Sequence, residues 1–145
     1  MRQSELEDDL VKLAKDDKLQ HTIIIALFEG NRLPRYCASM PREPAPESMP
    51  FKDSFLETYF SALGINHSFQ DGVIMIQAGK DGLKLRGFSY RVYPPSMPNL
   101  SRPKNKGSAF NSALDFSCVN RVKCTYIVSK EGVRKSVKGD VTNLC

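Results

Sequence analysis

The sequence predicts an α+β fold with a mainly antiparallel sheet and two or three packing helices. Three segments have helical apolar spacing, and two pairs of β-rich segments are each joined by a turn that contains glycine. The 145 residues, of which 41% are hydrophobic, suffice for one domain with its own core. Residues 40–50 contain four prolines in eleven residues. We expect them to form a loop that separates an N-terminal α-β unit from a basic C-terminal part of the single domain, residues 1–145.

The predicted helices cover residues 4–19, about 51–63 and 108–116. Ser4 and Glu7 have the spacing of a capping box, and Ser54 and Glu57 repeat that spacing at the second helix. Gly64 is expected to end the second helix, because glycine readily adopts the left-handed conformation of a helix C-terminus.

The predicted strands cover residues 21–28, 33–38, 73–78, 83–93, 121–129 and 133–141. A tight turn over residues 79–82 joins two of them, and a change in side-chain alternation at Gly87 indicates a β-bulge. In the strand over residues 121–129, Lys123, Thr125 and Ile127 alternate with apolar residues, which predicts a half-buried strand.

Charge is unevenly distributed along the chain. Residues 1–79 hold 8 Lys and Arg against 12 Asp and Glu, a net charge of −4, whereas residues 80–145 hold 13 against 4, a net charge of +9. A basic segment gains affinity for nucleic acid by releasing counterions from the phosphates. The alternative is a solvated basic surface that aids solubility.

Residues that serve enzymes and metal sites are scarce in this chain. It has two histidines, His21 and His67, and four cysteines without C-x-x-C or zinc-site spacing. The glycines of the turn over residues 79–82 do not fit the pattern of a phosphate-binding loop. We therefore predict a protein that is not an enzyme and that uses no cofactor and no metal.

The N-terminal residues and the apolar runs predict a cytoplasmic protein. The acidic residues 1–9 do not resemble a secretory signal, and the longest apolar run, residues 23–28, is too short to cross a bilayer. Cysteines without a disulfide framework are typical of a reducing compartment. We expect free thiols and no membrane partner.

Basic residues close to aromatic ones indicate a binding function. Lys84 and Arg86 alternate along one predicted strand, and Phe88 and Tyr90 follow on it. Such strands present stacking surfaces to single-stranded bases, although aromatic residues at these positions also suit a core. The last predicted helix, whose free N–H groups attract phosphate, is preceded by three more basic residues, Arg102, Lys104 and Lys106.

Two motifs lie between residues 50 and 116: Leu56-Glu57-Thr58-Tyr59 before Gly64, and Ser101-Arg102-Pro103-Lys104-Asn105-Lys106 before Ala109, Ala113 and Leu114. They resemble the two helices of a double-stranded RNA-binding domain, a family that runs helix, three antiparallel strands, helix. The resemblance requires a third strand within residues 94–100 and leaves the C-terminal hairpin outside the family pattern.

The resemblance also implies roles for individual residues. Glu57 would face a minor groove of duplex RNA and Lys80 would reach the next groove, while the basic residues before the last helix would hold phosphates across the major groove. The predicted nucleic-acid-binding residues are therefore Glu57, Lys80, Lys84, Arg86, Arg102, Lys104 and Lys106.

A second motif supports a different function. Tyr93-Pro94-Pro95-Ser96-Met97-Pro98 is similar to the Tyr-Pro-x-x-x-Pro turn of RWD and ubiquitin-conjugating-like folds, which implies a protein-interaction module. Two functions stay open. The first is a nucleic-acid-binding protein, for RNA more than DNA, that acts through its basic C-terminal half. The second is an inhibitor or adaptor that docks an acidic protein partner.

Overall fold

The computed structural model describes residues 1–43, 51, 54–102 and 107–145. In chain order, the elements within these ranges are α1 (Gln3–Ala14), β1 (Ile23–Glu29), β2 (Cys37–Ser39), α2 (Phe55–Ile65), a 3₁₀ helix (His67–Gln70), β3 (Val73–Gly79), β4 (Gly82–Val92), α3 (Ser108–Phe116), β5 (Val122–Ser129), β6 (Gly132–Val137) and β7 (Asp140–Asn143). The predicted α+β class is confirmed.

The seven strands form one sheet in the order β2-β4-β3-β1-β5-β6-β7. β1 and β3 run parallel at its centre, and every other neighbouring pair is antiparallel. A parallel pair needs a long crossover connection, which the segment containing β2 and α2 provides. The sheet is therefore mainly antiparallel, as predicted.

α1 and α2 pack on one face of the sheet. Leu6, Leu10 and Leu13 of α1 are each 0% exposed, as their spacing predicts. They belong to one cluster with Phe55 of α2 and Tyr126 of β5. Burying one such side chain stabilises the fold by about 1.5–3 kcal/mol, so this layer holds both helices on the sheet.

α3 packs on the opposite face, mainly against β5 and β1. Phe116 joins a cluster with Phe28 and Met75, while Phe110 contacts Ile127. β5 is therefore covered on both faces. The prediction of a half-buried β5 is wrong at Thr125 and Ile127, which are 1% and 9% exposed. Lys123 remains on the exposed side.

The ends of the first two helices differ from the predictions. α1 stops at Ala14, and Glu5 rather than Glu7 accepts a hydrogen bond from the backbone N–H of Arg2 at the helix start. At α2 one of the two hydrogen bonds of the predicted capping box is present, because the Ser54 side chain accepts from the N–H of Glu57. The helix then continues through Gly64 to Ile65, so the prediction that Gly64 ends it is wrong.

Three strand predictions can be compared with the structure: the bulge at Gly87, the strand over residues 133–141 and a strand within residues 94–100. The register between β3 and β4 shifts beside Gly87, which confirms the predicted irregularity. The segment predicted as one strand over residues 133–141 divides into β6 and β7, because Lys138 and Gly139 have positive φ values of 49° and 88° and form a turn. Residues 93–102 contain no strand, so the third strand of an RNA-binding domain does not form there.

The helices of the described ranges are all too short or too polar to cross a membrane.

Candidate functional site

A groove of about 560 Å³ opens on the α3 face of the sheet. It lies where β1 and β3 begin and β4 ends. Four side chains on these strands form its floor: Ile24, Val73, Tyr90 and Val92. Its volume lies within the range of roughly 300–1,000 Å³ that is typical of small-molecule sites.

The first two turns of α3 form one wall of the groove through Ser108, Ala109 and Ser112. The residue before this helix, Gly107, has no side chain to cap it, and no side-chain cap is present. The first N–H groups of a helix have no partner within the helix. Nothing in the described part of the chain caps this helix start, which borders an open groove.

The turn Asp71-Gly72 closes another side of the groove. Gly72 has a φ of +83°, and a Cβ there would lie 2.8 Å from the carbonyl oxygen of Tyr90 and 2.5 Å from Cε of Met40. A side chain at this position would therefore strain the backbone and collide with β4. Glycine allows β3, β4 and the segment after β2 to approach one another at the groove.

A short segment after β2 is fastened over this turn. Nη2 of Arg42 lies 3.6 Å from Oδ2 of Asp71. Nε of the same Arg42 side chain donates to Oγ of Ser89 at 3.3 Å. The N–H of Met40 donates to the carbonyl oxygen of Ser89 at 2.8 Å. These bonds join β2, β3 and β4 at one edge of the groove.

Ser89 has an unusual backbone conformation for a buried residue. Its φ is +60° and it is 0% exposed. Its hydroxyl donates to the carbonyl oxygen of Ser68 at 3.2 Å. A residue other than glycine in the left-handed region costs about 1–3 kcal/mol, and such strain is concentrated at functional sites. Ser89 is held in this conformation by its bonds to Ser68, Met40 and Arg42 at the edge of the groove.

Four ionisable residues line the groove: His21, Asp71, Tyr90 and Arg91. Burial raises the pKa of Tyr90, so its hydroxyl is neutral at pH 7 and available as a hydrogen-bond donor. Asp71 is paired with Arg42, whereas Arg91 is exposed. The described residues include no group of three or more His, Cys, Asp or Glu side chains arranged to hold a metal ion.

Three of the sequence-predicted site residues lie together elsewhere. Lys80, Lys84 and Arg86 line a concave surface of about 550 Å³ at the β3–β4 hairpin. Glu57 is exposed on α2, and this helix packs on one face of the sheet. The Phe28 ring, which lies under Arg86, is on the opposite face. The structure therefore brings these three basic residues together and leaves Glu57 apart from them.

Arg102 has partners inside the fold. Its Nη2 donates to Oδ1 of Asp115 and, at 3.0 Å, to the carbonyl oxygen of Met97, while Nη1 donates to Oδ1 of Asn111 at 3.3 Å. Arg102 thus fastens the loop before α3 to the side of that helix. Lys104 and Lys106 lie outside the described residues.

The residues around the groove were not among the sequence-predicted site residues. An Asp71-Gly72 pair directly before an apolar strand was the available signal, since this dipeptide favours a tight turn. The sequence did not reveal that the turn would lie beside the start of α3, because the two are more than thirty residues apart in the chain.

No family model and no curated protein matches this chain. Two solved structures are similar in fold. A double cysteine mutant of DacA from Staphylococcus aureus has a TM-score of 0.58 and 17% identity, over 97% of this chain and 83% of that one. A hypothetical membrane spanning protein from Bacillus cereus has a TM-score of 0.61 and 11% identity, over 98% of this chain and 62% of that one. At these identities the similarity shows a shared fold.

Proposed function

We propose that the protein binds a nucleotide-sized, phosphate-bearing ligand in the groove beside α3. One observation carries the proposal: an apolar sheet floor and the start of α3, which no described side chain caps, border the same concavity of about 560 Å³. The helix start offers N–H donors and the positive end of the helix dipole to a phosphate. The floor offers a surface for a flat ring.

The floor is suited to a ring because its residues are apolar or aromatic. Val73 is 3% exposed, and Ile24, Tyr90 and Val92 are half-buried. A flat ring that covers them removes apolar surface from water, at about 25 cal/mol per Å². The neutral Tyr90 ring adds a partner for stacking, which is worth about 1–3 kcal/mol per base in nucleic-acid complexes.

The phosphate end of the ligand would lie at the first turn of α3. Ser108 and Ser112 stand one turn apart on the groove wall, so their hydroxyl groups supplement the backbone N–H donors. The ligand is a free nucleotide or the phosphorylated end of an RNA strand, which present the same chemistry. We propose binding without turnover, in line with the scarcity of catalytic residue types in the sequence.

Calorimetric titration with AMP, ATP, adenosine and a short 5′-phosphorylated RNA tests this function. We expect the phosphate-bearing ligands to bind and adenosine to bind at least about tenfold more weakly, which corresponds to about 1.4 kcal/mol. Comparison of the affinity for AMP with the affinity for the 5′-phosphorylated RNA distinguishes a free nucleotide from an RNA end as the ligand. Equal affinity for adenosine and AMP would contradict the phosphate site.

The variant Ser108→Asp tests whether the phosphate binds at the start of α3. A carboxylate in the first turn stabilises a helix, so the fold is retained, but it repels a phosphate at the same place. We expect nucleotide affinity to fall at least about tenfold, or about 1.4 kcal/mol. Ser4→Asp, an exposed serine in the first turn of α1, is the control and should bind normally. Chromatography of ATP after incubation with the protein checks for turnover, and conversion of ATP would overturn the non-enzymatic part of the proposal.

A further inference from the structure

We infer that a basic surface at the β3–β4 hairpin binds the phosphate backbone of an RNA strand. Eight residues line this hairpin surface, among them Lys80, Lys84 and Arg86 with the neighbouring Gln77 and Asn31. It lies at the opposite end of β3 from the groove beside α3. A strand of seven residues from Val73 to Gly79 separates the two sites by about 20 Å. The inference is therefore independent of the nucleotide site.

Much of the positive charge of the C-terminal half is used within the fold. Nη1 of Arg121 donates to the carbonyl oxygens of Glu29 and Arg32 at 2.8 and 2.6 Å. Nζ of Lys135 lies 2.8 Å from Glu7, and Arg102 is bound to Asp115. Two of these cations, Lys135 and Arg102, are neutralised by carboxylates, so they add little to an external binding surface.

Lys80 and Lys84 differ from those cations. Both are exposed, and neither has an ion-pair or hydrogen-bond partner in the described ranges. Their only acidic neighbour on the hairpin surface is Asp81, so the surface keeps a positive balance together with Arg86. An exposed positive concavity attracts anions over a distance of about 8–10 Å at ordinary ionic strength.

Arg86 is held in place against the sheet and the Asn31 loop. Its guanidinium group lies 5.7 Å above the ring of Phe28, and Nη1 donates to the carbonyl oxygen of Asn31 and to Oε1 of Gln77, both at 3.1 Å. Gln77 is itself fixed, because its Nε2 donates to the carbonyl oxygen of Gly30 at 2.6 Å. A planar cation with a fixed orientation loses little entropy when it binds a phosphate.

The composition of the hairpin surface favours RNA over an acidic protein. Every residue that lines it is glycine, polar or charged: Asn31, Gln77, Gly79, Lys80, Asp81, Gly82, Lys84 and Arg86. Protein interfaces need an apolar or aromatic centre, which is missing from this lining. Lys84 and Arg86 instead lie about 7 Å apart in a row along β4. This row suits the successive phosphates of a nucleic-acid strand. The amide side chain of Asn31 beside this row is suited to a 2′-hydroxyl group of RNA.

The test is a fluorescence-polarisation titration of the full chain with a labelled single-stranded RNA of about 12 nucleotides, without terminal phosphates, across a salt series. We expect Lys80→Gln/Lys84→Gln to weaken binding at least tenfold at low salt. The slope of log affinity against log salt should become shallower by about 1.4, since each phosphate contact to a single strand contributes about 0.7. Lys12→Gln/Lys15→Gln, with two exposed lysines at α1, is the matched control and should bind normally.

Equal weakening in both double variants would overturn the inference, because only overall charge would then matter. Displacement of the RNA by polyglutamate as effectively as by unlabelled RNA would overturn it in favour of an acidic protein partner. The Ser108→Asp variant separates the two sites. It should bind this RNA normally, and loss of RNA binding in that variant alone would place the strand in the groove beside α3 instead.

Discussion

The phenolic hydroxyl of Tyr126 on β5 donates a 2.6 Å hydrogen bond to the carboxylate of Glu7 on α1. The same carboxylate lies 2.8 Å from Nζ of Lys135 on β6, and Nε2 of Gln3 donates to the Tyr126 oxygen at 2.9 Å. One polar cluster thus joins the first helix to two strands. Hydrogen bonds to charged groups are stronger than neutral ones, so this cluster orients α1 on the sheet.

Tyr126→Phe should lower the free energy of unfolding by about 1.5–3 kcal/mol, the usual worth of a hydrogen bond to a charged group. The ring and its packing remain, so the loss reports on the hydroxyl bonds alone. Urea unfolding followed by circular dichroism measures it. Tyr93→Phe is the control, because Tyr93 is 54% exposed, and it should change stability by less than about 0.5 kcal/mol. Equal effects of the two changes would contradict the role of the cluster.

The same cluster predicts a pH dependence of stability. Burial raises the pKa of Glu7, but the hydrogen bonds from Lys135 and Tyr126 outweigh it, and the net pKa lies below the usual 4.5. A carboxyl whose pKa is lower in the folded state contributes stability above its unfolded pKa, and that contribution is lost as the pH falls through the folded pKa. We expect urea unfolding from pH 7 to pH 3 to show a smaller acid-dependent loss in Glu7→Gln than in the native chain. If the free energy of unfolding falls equally with pH in both proteins, Glu7 contributes none of the pH dependence.

Glu7 shows why parts of the helix prediction failed. Its spacing from Ser4 is that of a capping box, but its partners are on β5 and β6, more than one hundred residues away in the chain. A local pattern contains no information about such contacts. α3, by contrast, spans the predicted residues 108–116. Gly64 lies inside α2, which ends one residue later at Ile65.

The same distinction holds for the candidate sites. Lys80, Lys84 and Arg86 could be grouped from the sequence because one hairpin carries all three. The groove beside α3 could not, since it is assembled from strand ends and a helix start that are distant in the chain. Nor could the sequence show that Arg102 would be bound to Asp115, which lies on the far part of α3.

Gly72→Ala should destabilise the protein and distort the groove. The residue would keep a φ of +83° with a Cβ 2.8 Å from the Tyr90 carbonyl oxygen, and the left-handed conformation alone costs about 1–2 kcal/mol. Gly64→Ala is the matched control. Gly64 lies in α2 with nothing within 4 Å of an added Cβ, so alanine there should stabilise by about 0.5–1 kcal/mol. Thermal unfolding of both variants checks the opposite signs, and two changes of the same sign would contradict the assignment.

Arg102→Ala should lower stability by about 1–3 kcal/mol, because it removes the charged partner of a buried carboxylate. Asp115 is 9% exposed and would keep the N–H of Met97, at 3.1 Å, as its hydrogen-bond donor. The double variant Arg102→Ala/Asp115→Ala completes a cycle, and it should lose less than the sum of the two single changes because the pair interacts directly.

RNA affinity, measured below the unfolding temperature of each variant, distinguishes an effect on RNA binding from an effect on stability. We expect Arg102→Ala to leave the affinity for RNA unchanged, since its guanidinium is already bound to Asp115 and Asn111. A variant with native stability and weakened RNA binding would reverse this conclusion. It would then give Arg102 the phosphate contact that the resemblance to RNA-binding domains implies.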